Sequence, residues 1–235
     1  DSLNPKKQNY IYNLEGAWER IVKKMCLFSE VLPKRGNTLL INTVVSRLNI
    51  EELPSLVKFA EGAGYHISFI PIESRQLLDN NFIMTNRDYA LIDEIYARLI
   101  EMKKRGSPIF NSVLFLENSC EYLKTGRINW QCDAGRLYLS IDPKGNFSIC
   151  HKFSPIQSSS LKEMISYFES EAYEFKRKEL MRTCSRCMRP CWAEITYLIR
   201  NRQSFSEMAK IEISTWKKRR YVSYETLVQG AYIKK

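Results

Sequence analysis

At 235 residues and 27.6 kDa, with 44% hydrophobic residues, the chain has enough apolar content to bury the core of one large domain or two small ones. No apolar run approaches the length of a membrane span and no signal-peptide pattern opens the chain, so a cytoplasmic protein is expected. The net charge of +10 is uneven: from residue 152 onward seventeen Lys and Arg stand against nine acidic residues. Such a surface suits nucleic acid or an acidic peptide, but its basic residues are not interleaved with an RNA-binding signature. A solvated face that also offsets anionic thiolates is the better reading.

In chain order, "DSLNPKK" begins without Met, which leads us to expect residues upstream of Asp1. Leu14, Trp18, Ile21, Val22, Met25 and Phe28 recur at helical spacing, with Gly36 in the loop beyond. "TLLINTVV" (38–45) is a β-branched run of strand length. Asn49, with Glu52 three residues on, predicts a capped helix that the glycines of "EGAG" stop. "YHISFIPI" (65–72) is a second strand, and Thr85 with Asp88 opens a helix carried by Tyr89, Ile92, Ile95, Leu99 and Met102. Strands that are apolar on both faces and alternate with helices predict a parallel sheet in an α/β unit. Two such strands leave open edges, so the unit reads as the later part of a larger βα array.

"RGSP" and "TGRINWQ" bracket a short helix containing Cys120. "RLYLSI" (136–141) and "NFSIC" (146–150) flank "DPKG" and predict a β-hairpin. A loop at "SPIQSSS", a helix over about 160–181, a cysteine knuckle, and helices at "WAEITYLIRNRQ" and "FSEMAKIEISTW" complete the chain.

Five of the seven cysteines lie between residues 132 and 191. Their pattern is C-x17-C, a gap of 33 residues, then C-x2-C-x3-C. A C-x2-C pair in a tight turn, joined by thiols from a hairpin, can build a four-thiolate shell that suits either zinc or an iron–sulfur cluster. Without an export signal, metal ligation is favoured over disulfides. Cys26 and Cys120 fall within apolar helical patterns and read as core residues. With His66 and His151 as its only histidines, the chain does not suit a His-rich catalytic zinc site; His151 is either a hydrogen-bonding neighbour of Cys150 or an ordinary surface residue.

Cys132, twelve residues to Gly145, four more to Cys150, with "CDAG" at the first cysteine and "IDPKG" at the turn, resembles the hairpin signature of the SPASM/twitch auxiliary-cluster domains of radical S-adenosylmethionine enzymes. The stretch "NLEGAWERIVKKM" together with "TLLINTVVSRLNIEELPSLVKFAEGAGYHISFIPI" resembles the second half of that family's partial (βα)6 barrel, and "DSLN" the end of its fourth strand. The resemblance implies a barrel half over 1–106, a cluster domain over 107–205 and a basic extension over 206–235. It also implies one auxiliary 4Fe-4S cluster on Cys132, Cys150, Cys184 and Cys187, with Cys191 as a replacement for one of the knuckle pair. The family's CxxxCxxC loop, which carries the cofactor-cleaving cluster, is absent from these residues. A second 4Fe-4S cluster and S-adenosyl-L-methionine are therefore expected on a missing N-terminal barrel half, in the same protein or another chain. Asn42 and Arg47 are the candidate contacts to the cofactor, and Arg182, Arg186 and Arg189 the candidate tuners of the cluster. A peptide, protein or small-molecule substrate and a reductant such as flavodoxin or ferredoxin are implied; a membrane is not. The competing expectations are a non-catalytic iron–sulfur or zinc module and a basic RNA-binding protein with a structural knuckle.

Overall fold

The computed structural model describes residues 1–31, 38–73, 79–156, 160–184 and 187–217, with only the backbone described for 212–217. Gly36, Arg186, 157–159 of the expected loop and 218–235 of the expected basic extension lie outside the described residues. The chain is a mixed α and β protein, mostly helical, with its strands in two small sheets.

The first core is built on β1 (Leu40–Val45) and β2 (His66–Pro71), paired in parallel with Asn42 opposite Ser68. They are joined through α3 (Leu53–Ala63), which Gly64 ends at φ 75°, in the left-handed region a glycine enters without strain. Ile67 then bridges in parallel to Ile109: its N–H reaches Pro108 O at 2.9 Å and its carbonyl accepts from Phe110 N at 2.8 Å. This adds a short third strand position that "RGSP" concealed, because Ser107 and Pro108 read as a break. Thr43, Val45, Ile67 and Phe69 are buried, with α3 and α4 (Tyr89–Lys104) supplying Leu53, Val57, Ala60, Ile92 and Leu99. On β1, Leu40, Asn42 and Val44 are exposed.

Thr85 and Asp88 form the expected capping box before α4. Asn49 does not cap. Its Oδ1 accepts from Ser46 N at 2.9 Å while its Nδ2 donates to Val44 O and Asp1 O, tying the N-terminus to the end of β1. Glu52 points away from the cap as well, accepting from Ser2 Oγ, Leu3 N and Lys7 Nζ. A single 3-10 turn, Ile50–Glu52, stands where the helix was expected to begin. Helix α1 (Pro5–Tyr12) has no apolar stripe; Asn4 caps it and Pro5 supplies its first position. Helix α2 (Ala17–Val31) buries Ala17, Trp18 and Val22.

Helix α5 (Val113–Thr125) serves two cores. Leu116 faces the first, while Phe115 and Tyr122 enter the second. The second core gathers Trp130, Phe147, Ile149, Tyr173, Met188, Trp192, Ala193 and Tyr197. Its hairpin, β3 (Ser140–Ile141) and β4 (Phe147–Ser148), is antiparallel but shorter than the expected runs. The helix expected at about 160–181 is two, α6 (Leu161–Phe168) and α7 (Glu171–Thr183). Ser170 breaks it by accepting from Tyr173 N and donating to Tyr167 O. Helices α8 (Pro190–Arg200) and α9 (Arg202–Lys217) close the described chain.

Candidate metal centre

Each residue of "CDAG" has a structural task beside Cys132. Asp133 is buried and takes a two-pronged ion pair from Arg200 of α8, at 2.5 and 2.7 Å. Its carbonyl accepts from Arg136 N and Leu137 N, turning the chain sharply after the cysteine. Ala134 is buried, and Gly135 adopts φ 76° against α7. A Cβ at Gly135 would lie 2.5 Å from Tyr173 Oη and 2.9 Å from Ile149 Cγ2. The loop thus holds Cys132 against α7 and α8, while the "DPKG" turn, with Gly145 at φ 85°, returns the chain to Cys150. The knuckle follows α7: Cys184 is half-buried and Cys187 buried, and the Cys187 carbonyl accepts from Trp130 Nε1 at 3.0 Å.

Cys150 and Cys187 belong to the second core, and Cys132 packs on it. Burial raises the Cys150 thiol above its ordinary range, and the neighbouring Cys132 and Cys184 raise it further against the pull of Lys152. Burial also pushes the Cys187 thiol up to about 11, with Cys150 again contributing. Cys150 thus lies within electrostatic reach of Cys132 and Cys184, and Cys187 within reach of Cys150. Cys191 is exposed in the first turn of α8 and is held beside Arg189. Among the described residues, no three His, Cys, Asp or Glu side chains stand close enough together to hold a metal ion. The donor chemistry of these thiols, and the shared core of Cys132, Cys150 and Cys187, fit a thiolate-ligated group. Cys26 and Cys120 are half-buried against the first core; burial raises both, Cys120 to about 12.

Two aromatic residues absent from the sequence reading connect the thiols. Tyr138 Oη lies 3.5 Å from Cys132 Sγ and 3.2 Å from Trp192 O, and its ring centroid is 4.3 Å from that of Trp192. On the other side His151 stacks on Trp192 at 5.9 Å, accepts from its Nε1 at 3.3 Å, and places the same Nδ1 3.5 Å from Cys150 Sγ. A tilted Tyr138–Trp192–His151 stack thus runs from Cys132 to Cys150. Trp192 follows Cys191 directly and Trp130 precedes Cys132 by two, a signal the cysteine spacing overshadowed. His151 is exposed, and its Nδ1, taken up as the acceptor for Trp192 Nε1, is not a donor to Cys150.

Glu73 was also missed. It follows β2, accepts from Arg189 Nε at 2.9 Å and pairs with Lys152 at 3.4 Å, linking the first core to the knuckle and the hairpin. Arg182 lines an open groove of about 710 Å3 with Arg127, Lys178, Met181, Ile128 and Cys184, so a cationic surface adjoins one knuckle thiol. The candidate cofactor contacts are not drawn into this site. Asn42 is exposed in the middle of β1, and Arg47, past its end, pairs with Asp88 at 3.3 Å.

Compared with protein-family models, with curated proteins and with solved structures, the chain matches none. Among the described residues no helix is long and apolar enough to cross a membrane.

Proposed function

We propose that this chain is the C-terminal part of a radical S-adenosylmethionine enzyme, carrying a SPASM/twitch-type domain with one auxiliary 4Fe-4S cluster. What supports this reading is that Cys150 and Cys187, from separate chain segments, lie in one apolar core with Cys132 packed on it, and that Cys184 lies near enough to raise the Cys150 thiol. When bound, the cluster supplies one-electron transfer or a substrate-binding iron. The chain's own residues complete its setting. Trp130, Phe147 and Trp192 exclude water, Tyr138 brings its hydroxyl within 3.5 Å of the Cys132 sulfur, His151 packs beside Cys150, and Arg189 and Lys152 offset thiolate charge.

On this reading the open face of β1, with Asn42 at its centre, faces S-adenosyl-L-methionine in the complete enzyme, and the missing barrel strands pair along β1. The Arg47–Asp88 pair makes Arg47 a holder of the loop rim, so its contact to the cofactor requires that exposed pair to open. The substrate is a peptide, protein or small molecule from which the complete enzyme abstracts hydrogen. The cationic groove at Cys184 receives an acidic reductant of the flavodoxin or ferredoxin class, and the protein works in the cytoplasm.

Anaerobic reconstitution with iron and sulfide tests the proposal. The expected product binds four iron and four sulfide and absorbs broadly in the visible, and Cys132→Ala or Cys150→Ala abolishes both properties. A tight zinc stoichiometry with no visible absorption would overturn it in favour of a structural zinc module.

A further inference from the structure

A cavity of about 610 Å3, with no cysteine in its lining, lies between the ends of α3 and α4, the segment 106–109 and α9. Tyr65, Pro108, Ile109 and Val113 give it an apolar floor. Its volume falls in the range of small-molecule sites, which favour the joints between structural units.

Lys103 supplies the charged group. Its side chain is 6% exposed and lines the cavity, donating from Nζ to Ile109 O at 3.1 Å. The nearest carboxylate, Glu207, stands 3.8 Å away. Glu207 is already committed: its Oε2 accepts from Val113 N and its Oε1 from Gln203 Nε2, each at 2.9 Å. An ammonium carries three donors, so at most two are used, and a buried cation keeps a hydrogen for another acceptor. A charged acceptor satisfies it best, because charge-assisted hydrogen bonds are about twice as strong as neutral ones. At the mouth, exposed Lys104 and Lys210 outnumber the exposed Glu61 and favour an incoming anion.

We propose that this cavity binds a small organic monocarboxylate, its apolar body against Tyr65, Ile109 and Val113 and its carboxylate received by Lys103 Nζ. The site is separate from the thiols and does not depend on what they hold. It joins α9 to the first core, so an occupied cavity fastens the two units together.

Octanoate titrated into the full chain is the probe, with methyl octanoate and inorganic phosphate for comparison, read by calorimetry and by thermal unfolding. Octanoate should bind saturably with Kd on the order of 0.1–1 mM and raise Tm, while the ester and phosphate do neither. Lys103→Met, which keeps the apolar stem, should weaken binding at least about tenfold. Ser206→Trp, which fills the cavity from an exposed position on α9, should block octanoate without lowering Tm of the free protein, and it decides alone if Lys103→Met does not fold. No saturable octanoate binding, equal binding of the methyl ester, or binding indifferent to both substitutions would each overturn the proposal. Phosphate binding in place of octanoate would overturn the apolar body.

Discussion

Glu194 Oε1, on α8, accepts a 2.8 Å hydrogen bond from Ser112 N at the head of α5, while its Oε2 is buried with no hydrogen-bond partner among the described residues. One helix of the second core thus caps the helix that both cores share. The residue is 3% exposed, and burial raises its carboxyl from the ordinary 4.5 to about 7, against the hydrogen bond from Ser112 and the charge of Lys103.

Because the folded pKa is raised, the folded state holds a proton that the unfolded chain has lost between about pH 4.5 and 7. The contribution of Glu194 to stability is therefore greatest below pH 4.5 and is lost as pH rises through about 7. At 1.36 kcal/mol per unit the change amounts to about 3 kcal/mol at most. Glu194→Gln retains an acceptor for Ser112 N and removes the titration. Its Tm should exceed that of the wild type at pH 8 and approach it at pH 5. Parallel Tm profiles over that range would refute the assignment.

Gly135 and Gly145 both have positive φ but meet different surroundings. A Cβ at Gly145 has nothing within 4 Å, whereas one at Gly135 collides with Tyr173 Oη, which also donates to Gly135 O at 2.8 Å. Gly145→Ala should cost about 1 kcal/mol from backbone strain alone. Gly135→Ala should cost about 2–4 kcal/mol, since α7 must move or the loop carrying Cys132 must unwind. Urea unfolding of the two variants measures the difference, and equal costs would remove the packing role given to Gly135.

The sequence disclosed those features that short-range chemistry controls. The strand runs at 38–45 and 65–72, the Thr85–Asp88 cap and the Gly64 stop are local, and each stands where expected. The Asn49–Glu52 cap failed for a long-range reason: Asp1, Ser2 and Leu3 return to this corner and offer both side chains other partners. The strand position at Ile109 was hidden for the same reason, since it exists through pairing with Ile67. In the candidate site the cysteine spacing drew attention to the thiols but not to their supports. Asp133–Arg200 and Glu73–Arg189 join residues 67 and 116 positions apart, and no periodic pattern encodes such pairs.

On the proposed reading Cys191 is the alternative to one of the knuckle pair, and burial distinguishes it from Cys187. Cys187 lies in the second core beneath Trp130, whereas Cys191 is exposed at the start of α8. Cys187→Ser should prevent the visible absorption from developing on reconstitution. Cys191→Ser should leave its intensity within about a fifth of wild type, one absent ligand among four being the larger effect. The reverse ranking would make Cys191 the ligand.

Tyr138 should tune whatever the thiols hold. Hydrogen bonds to ligand sulfur make a cluster easier to reduce, and Tyr138 Oη stands 3.5 Å from Cys132 Sγ. Tyr138→Phe should therefore lower the midpoint potential of the reconstituted protein by tens of millivolts, on the order of 1 kcal/mol per hydrogen bond. Phe keeps the ring packed on Trp192, so iron content should not change. A potential unmoved by the substitution would leave Tyr138 a packing residue.

The cationic groove beside Cys184 yields a kinetic expectation. Arg127, Lys178 and Arg182 are exposed around an apolar strip formed by Ile128 and Met181, an arrangement suited to brief encounters with an acidic protein. Reversing Arg127 and Arg182 to Glu should slow second-order reduction by a reduced acidic flavodoxin about tenfold or more at low salt. The gap should close as ionic strength approaches about 0.5 M, where charges are screened within a few ångströms. Reduction by a small neutral donor should be unaffected, because it needs no docking surface. Were both reductants slowed equally, the substitutions would have damaged the thiol core itself, and the groove would have no part in receiving the electron.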